Sequence, residues 1–128
     1  MASILSVDVG SKRVGLAIAD EGLKMALSIG IVDRKTAEDA ILRLIPERSI
    51  STIVFGLPLN EDNSEGPACQ LVRKFAKRIS KRASVKIAFI DEYGSSMEAH
   101  EILAHAPGKR VDHAAAVLIL ESYLKTFV

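Results

Sequence analysis

The first twenty residues constrain this chain most. Ile4 to Val9 is almost wholly apolar and rich in branched side chains, and it reads as a strand. A polar turn containing glycine follows, Gly10-Ser11-Lys12-Arg13. Val14, Leu16 and Ile18 then alternate with Gly15, Ala17 and Ala19, a second strand with large residues on one face and small ones on the other. A four-residue link containing glycine between two such strands predicts an antiparallel hairpin.

The rest of the chain alternates. A third strand is predicted over Ala26 to Val32, after the turn at Glu21-Gly22. Thr36 suits a helix N-cap, with Glu38 and Asp39 in the first turn, where the helix dipole favours acids. Pro46 places the end of that helix near Leu44 or Ile45. Thr52 to Phe55 reads as a buried strand stopped by Gly56, with a loop from Leu57 to Glu65. Gly66-Pro67 opens a second helix, whose stripe is Leu71, Val72, Phe75, Ala76 and Ile79. Val85 to Ile90 is a further strand. Ser95 and Glu98 match a capping box for a helix to about Ala104. A last helix over Val111 to Leu124 is apolar around much of its circumference and should be largely buried. The order β-β-β-α-β-α-β-α-α, without repeat or linker, predicts an α/β domain with a mixed sheet covered by helices. The 128 residues suit a single domain.

No run of about 18 apolar residues is present, so no membrane span is expected. Met1-Ala2-Ser3 leads straight into the first strand, without a signal peptide's basic region or cleavage site. Cys69 is the single cysteine, which excludes an internal disulfide. We expect it to be an exposed free thiol, able to link two chains only under oxidation. These features together point to the cytoplasm. Net charge is +1, from 17 Lys and Arg against 16 Asp and Glu. The near-neutral total conceals local basic groups: Lys74, Lys77, Arg78, Lys81 and Arg82 in one cluster, Lys12 with Arg13, and Lys109 with Arg110. Such patches are compatible with phosphate contacts, although the plainer reading of the 74–82 cluster is a solvated helix face.

Several acids stand where chemistry is economical. Asp8 lies inside an apolar strand just before a glycine turn, where a carboxylate is costly unless paired, hydrogen-bonded or metal-bound; capping the turn is the alternative. Asp91 and Glu92 end another apolar strand, the edge at which open α/β sheets bind ligands. Side chains alternate along a strand, so at most one of the two shares a site with Asp8. Asp112 begins the last helix, where it could equally serve the helix dipole. His113 diverges from it and is not counted as a ligand. Carboxylates from two strand ends and one helix start can converge, and they suit Mg2+ or Mn2+. Paired ions of that kind can drive phosphodiester hydrolysis. No zinc-spaced Cys/His cluster, Walker loop, G-x-G-x-x-G or Gly-x-Ser-x-Gly elbow is present. The Gly10 turn, with Lys12 and Arg13, could hold a phosphate, or be an ordinary hairpin tip. Lys109 and Arg110 precede Asp112 in a similar way.

Asp8-Val9-Gly10-Ser11-Lys12-Arg13-Val14-Gly15-Leu16-Ala17 resembles the opening motif of the YqgF/RuvX family. These are bacterial proteins named as Holliday junction resolvases and later assigned to processing the 5′ end of the 16S ribosomal RNA precursor. Three further blocks agree, in the family's order: Val54-Phe55-Gly56-Leu57-Pro58-Leu59-Asn60, then Glu65-Gly66-Pro67 with Val72-Arg73-Lys74-Phe75-Ala76, then Asp112 to Glu121. The resemblance implies a ribonuclease-H-like three-layer fold with a mixed five-stranded sheet. It also implies a catalytic, metal-binding triad on Asp8, Glu92 and Asp112. Asn60 would line the same cleft and, with Lys12, Arg13, Lys109 and Arg110, contact substrate. There is one departure: the family's usual Asp-Glu-Arg reads Asp91-Glu92-Tyr93 here, so a phosphate-binding arginine is replaced.

The implied function is a divalent-metal endonuclease on structured RNA, acting as a monomer or weak homodimer. Cleavage of four-way DNA junctions is the rival within the same chemistry, and a symmetric dimer would mark it. Asp8-x-Gly10 with Lys12 also resembles the first phosphate loop of the actin and sugar-kinase superfamily. Those proteins need two such domains, and 128 residues supply one. A nucleic-acid-binding module without catalysis is the third class.

Overall fold

Strands β1 (Ser3–Val9) and β2 (Arg13–Asp20) pair antiparallel, with Val9 opposite Val14, and so form the expected hairpin. The computed structural model describes residues 2–20, 22, 26–60, 62, 64–91 and 111–127, the last stretch with side chains for 115–125. Strand β3 (Leu27–Asp33) pairs antiparallel with β2. The register between them shifts between Leu16 and Ala17, where Gly30 takes a φ of 128°. A bulge with a left-handed residue needs glycine at that point.

Helix α1 (Arg34–Glu47) follows at once, then β4 (Ile50–Leu57), parallel to β1. Helix α2 (Pro67–Arg82) leads to β5 (Lys86–Asp91), parallel to β4, and α3 (Val111–Phe127) closes the described chain. The sheet order is β3-β2-β1-β4-β5. This is the mixed five-stranded sheet expected from the sequence. The helix predicted over 95–104 lies outside the described residues.

The two faces of the hairpin explain the layers. Leu5, Val7, Val9, Val14, Leu16 and Ile18 point to one side and form a core with Phe55, Val72, Phe75 and Ile79 beneath α1 and α2. Ile4, Ala17 and Ala19 point to the other side and pack with Val54, Ala116, Ile119, Leu120, Tyr123 and Leu124. Alanines on β2 leave room for α3 to lie close to the sheet. As the sequence indicates, α3 is largely buried, with Glu121 and Lys125 on its exposed side.

Three boundaries depart from the sequence reading. Helix α1 starts at Arg34 rather than after Thr36, and Asp33 is its N-cap residue. The reason is tertiary: the Arg34 N–H donates to the Lys12 carbonyl at 2.9 Å, which draws the first turn onto the hairpin. The helix also passes through Pro46 to Glu47. Pro46 sits in the last turn, where its missing N–H removes a single bond, and burial of Leu42, Leu44 and Ile45 against the core offsets that loss. Strand β4 continues through Gly56, which pairs with Ile90, to Leu57. The loop therefore begins at Pro58.

An ion-pair network ties α1 to α2. Glu38 accepts from Arg78 Nε at 3.0 Å and from Arg82 Nη1 at 2.5 Å. Arg82 also reaches Asp39 at 3.4 Å. Burial pushes the Glu38 carboxyl up, but the hydrogen bonds from Arg82 and Arg78 outweigh it and lower its pKa. A lowered carboxylate pKa contributes stability above the ordinary carboxylate range, and that contribution is lost as pH falls through the folded-state value. Glu38→Gln is therefore expected to cost about 0.5–1 kcal/mol at neutral pH. Denaturant titrations should show the difference shrinking to nothing in strong acid.

Candidate functional site

Alternation along β1 puts Ser6 and Asp8 on the α3 side of the sheet, in the row begun by Ile4. Asp8 is half-buried near the strand's end, and its cross-strand neighbour is Gly15. Gly15 brings no side chain directly opposite it. Two residues earlier, the buried Ser6 Oγ donates to the Ala116 carbonyl of α3 at 2.7 Å. Ile119, Leu120, Tyr123 and Leu124 pack with Ile4, Ala17 and Ala19, so α3 descends from the Asp8 end of β1 toward Ile4. Asp112 belongs to the first turn of α3, one turn before Ala116. Its side chain and that of His113 lie outside the described residues, as do Glu92, Tyr93, Lys109 and Arg110.

Asp91 is the exposed last residue of β5. Ile87 and Phe89 pack on the α1/α2 side, whereas Ala88 and Ile90 pack on the α3 side. Asp91 continues the first row and so faces away from the side that carries Asp8. Asp91 thus lies on the wrong face for a site shared with Asp8.

The turn between β1 and β2 is held from α1. Arg34 Nη1 donates to the Gly10 carbonyl at 3.1 Å, while its backbone N–H holds the Lys12 carbonyl. The same guanidinium lies 5.1 Å from the centre of the Phe75 ring. Burial, and next the charge of Arg78, lower its pKa. Inside the turn, Gly10 N–H donates to the Arg13 carbonyl at 2.9 Å. A Cβ on residue 10 would stand 2.7 Å from that same oxygen. Gly10→Ala must open the turn, and we expect a loss of about 1–3 kcal/mol, read by thermal melting. Lys12 and Arg13 have exposed side chains at this tip, next to Asp8.

Asn60 sits in the loop after β4, and its described bonds are internal. Its N–H donates to the Ser64 carbonyl at 2.9 Å and its Nδ2 to Ser64 Oγ at 3.0 Å. A Cβ on Gly66 would come within 3.3 Å of the same amide nitrogen. The loop is anchored further by a bidentate pair, Arg73 Nε and Nη2 to Glu65 Oε1 and Oε2, both at 2.7 Å. The Arg73 guanidinium also lies 5.0 Å from the centre of the Phe89 ring on β5. Cys69 is fully buried, not exposed as expected, because it takes the inward position in the first turn of α2. Its Sγ donates to the Pro58 carbonyl at 3.4 Å. Burial, then the charge of Glu65, pushes the thiol pKa up. A protonated, buried thiol cannot serve as the intermolecular link considered above.

Ser6 and Arg34 escaped the sequence reading. Ser6 could have been found, since a polar residue two before Asp8 in an apolar strand marks the same face. Arg34 carried no signal, because a cation is disfavoured at a helix start and the Gly10 carbonyl that its side chain holds is 24 residues away. Among the described residues no group of three or more His, Cys, Asp and Glu could hold a metal. Of the expected triad, only the Asp8 side chain falls within them.

The family model described as RuvX, Holliday junction resolvase, matches residues 2–126. The chain belongs to that family. This membership makes it a nuclease, a hydrolase of phosphodiester bonds. A relative from Anaeromyxobacter sp. strain K, named "Putative pre-16S rRNA nuclease", is 40% identical over 129 residues, which is 94% of each chain. Another of the same name, from Ruegeria pomeroyi, is 36% identical over 132 residues, covering 96% of this chain and 86% of that one. Among solved structures, Thermus thermophilus RuvC in complex with a Holliday junction substrate superposes with a TM-score of 0.63 at 12% identity, over 98% of this chain and 96% of that one. The Fowlpox virus resolvase in its Holliday junction complex gives 0.59 at 17% identity, over 98% and 99%. The fold is therefore ribonuclease-H-like, with the three layers described above. No helix among the described residues is long and apolar enough to cross a membrane.

Proposed function

We propose that this chain cleaves structured RNA at the 5′ end of the 16S ribosomal RNA precursor, in the cytoplasm, with Asp8, Glu92 and Asp112 as its catalytic carboxylates. The observation that carries the reading is the position of Asp8. It lies one residue from the end of the central strand, faces α3, and has a glycine as its neighbour on β2. The descent of α3 from that end supports Asp112 as a second acid. The alternation of β5 supports Glu92 over Asp91, since Asp91 falls in the row of Ile87 and Phe89, which faces α1 and α2. The names of the curated relatives support the RNA substrate.

Asp8 fits a divalent ion by the chemistry of its donor, a hard carboxylate oxygen that is partly open to solvent. With Glu92 and Asp112 it would hold Mg2+ or Mn2+. Such an ion, when bound, lowers the pKa of a water and stabilises charge on the phosphoryl oxygens. The chain's own residues would do the rest. Lys12 and Arg13, at the hairpin tip, would neutralise and orient the phosphate beside Asp8, Arg by a bidentate fork and Lys as a compact charge. Lys109 and Arg110 would do the same from the approach to α3. Asn60 would contact substrate from a loop that its own hydrogen bonds hold in place.

The family's description favours a second reading, resolution of four-way DNA junctions. Purified protein with Mn2+ or Mg2+, given a 5′-extended 16S precursor RNA and a four-way junction side by side, separates the two. Metal-dependent cutting of the RNA is the expected result. Preference for the junction, from a dimeric protein, would replace it with the second reading.

A further inference from the structure

We infer that Lys74, Lys77 and Lys81 on α2 form a second contact surface for RNA, a phosphate-binding row on the α1/α2 side of the sheet. The inference rests on the proposed nuclease function for its choice of RNA as the partner. Helix α2 carries six basic residues and no acid between Pro67 and Arg82. A helix face that serves only solubility mixes signs, because like charges at i,i+3 and i,i+4 destabilise the helix. Here those spacings are basic with basic: 74 with 77 and 78, 77 with 81, and 78 with 81 and 82.

The structure divides these cations into two sets. The arginines are committed to the fold: Arg73 to Glu65, and Arg78 and Arg82 to Glu38. The lysines are exposed, and among the described residues no carboxylate pairs with any of them. Their spacing of three and then four residues puts them in one line along the helix, opposite the buried stripe of Val72, Phe75, Ala76 and Ile79. From Lys74 to Lys81 the row is about 10 Å long at 1.5 Å per residue, enough to meet successive phosphates of one strand. Lysines act on phosphate as mobile point charges, which suits a contact that positions a backbone without reading its sequence. Its start lies two turns into the helix whose first turn follows the loop after β4. RNA held at the hairpin tip and this loop could continue along α2.

The test is RNA binding in EDTA as a function of salt, using a fluorescein-labelled single-stranded RNA of mixed sequence. The triple variant K74Q/K77Q/K81Q is compared with wild type and with a charge-matched control, K35Q/R43Q/R48Q. Thermal melts confirm that all three are folded. Losing three phosphate contacts on a single strand should flatten the log–log salt slope by about 2 and weaken binding at least about tenfold at low salt, beyond the change in the control. A wild-type slope in the row variant, or a loss equal to that of the control, would overturn the row. So would row-dependent binding to anionic phospholipid vesicles with none to RNA. Cleavage of a short oligonucleotide is read in parallel with Mn2+. Row-dependent RNA binding in a protein that never cleaves would keep the row and remove the nuclease mechanism. Normal cleavage with an unchanged salt slope would do the reverse.

Discussion

Asp8→Asn should lower the rate of RNA cleavage by about three orders of magnitude or more while the protein stays folded. The size follows from the role proposed for the residue. A carboxylate that holds a divalent ion against the scissile phosphate underwrites several kcal/mol of transition-state stabilisation, and each 1.36 kcal/mol is about tenfold in rate. The fold should tolerate the change because Asn keeps the shape, and Asp8 is half-buried rather than sealed in the core. The control is next to the proposed second acid. Asp91→Asn alters a carboxylate on the opposite side of the sheet, so its rate should stay within about threefold of wild type, under one kcal/mol in barrier. Single-turnover rates at saturating Mn2+, with melting curves for each variant, check both. Equal losses from Asp8→Asn and Asp91→Asn would mean that the sheet's two faces do not divide the acids as argued.

Phe55→Ala should cost about 3–5 kcal/mol, a large share of the stability of a small domain. Phe55 is completely buried in the central strand pair, on the side of α1 and α2. Its ring meets Phe75 edge-on, with centroids 6.1 Å apart, and Phe89 at 6.0 Å. Those two rings lie beneath the guanidinium groups of Arg34 and Arg73. Deleting the middle ring therefore leaves a cavity whose walls are pinned from outside and relax poorly, which puts the cost in the upper part of that range. Guanidinium titration monitored by circular dichroism measures it. A loss below about 1.5 kcal/mol would show that Phe75 and Phe89 close over the gap.

The parts of the fold visible in the sequence are those that rest on local pattern. The hairpin followed from alternation and a glycine turn, α2 from Pro67 and its stripe, and the burial of α3 from an apolar circumference. The errors share one cause, tertiary contact overriding local preference. Arg34 starts α1 three residues early because the hairpin turn offers it two carbonyls. Pro46 fails to end that helix because Leu42, Leu44 and Ile45 before it are partly buried against the core. Gly56 fails to stop β4 because a parallel partner pairs through it. Cys69 is buried because it falls three residues before Val72 in the inward stripe of α2. For the candidate site, side-chain alternation made it legible that Asp91 and Glu92 could not both join Asp8, and the choice of Glu92 came from the family resemblance. The Ser6 bond to α3 and the Arg34 clamp were not, since they join residues 110 and 24 positions apart.

The alanines and glycine of β2 have a consequence for how this enzyme can vary. They set how near α3 comes to the sheet, and the proposed mechanism draws one acid from β1 and one from the first turn of α3. The spacing between α3 and β2 is in effect the thickness of a methyl layer. One added carbon at Ala17, Ala19 or Ala116 would wedge that layer open. Loss-of-function variants of this chain should therefore gather at its smallest residues, at positions that never meet the substrate.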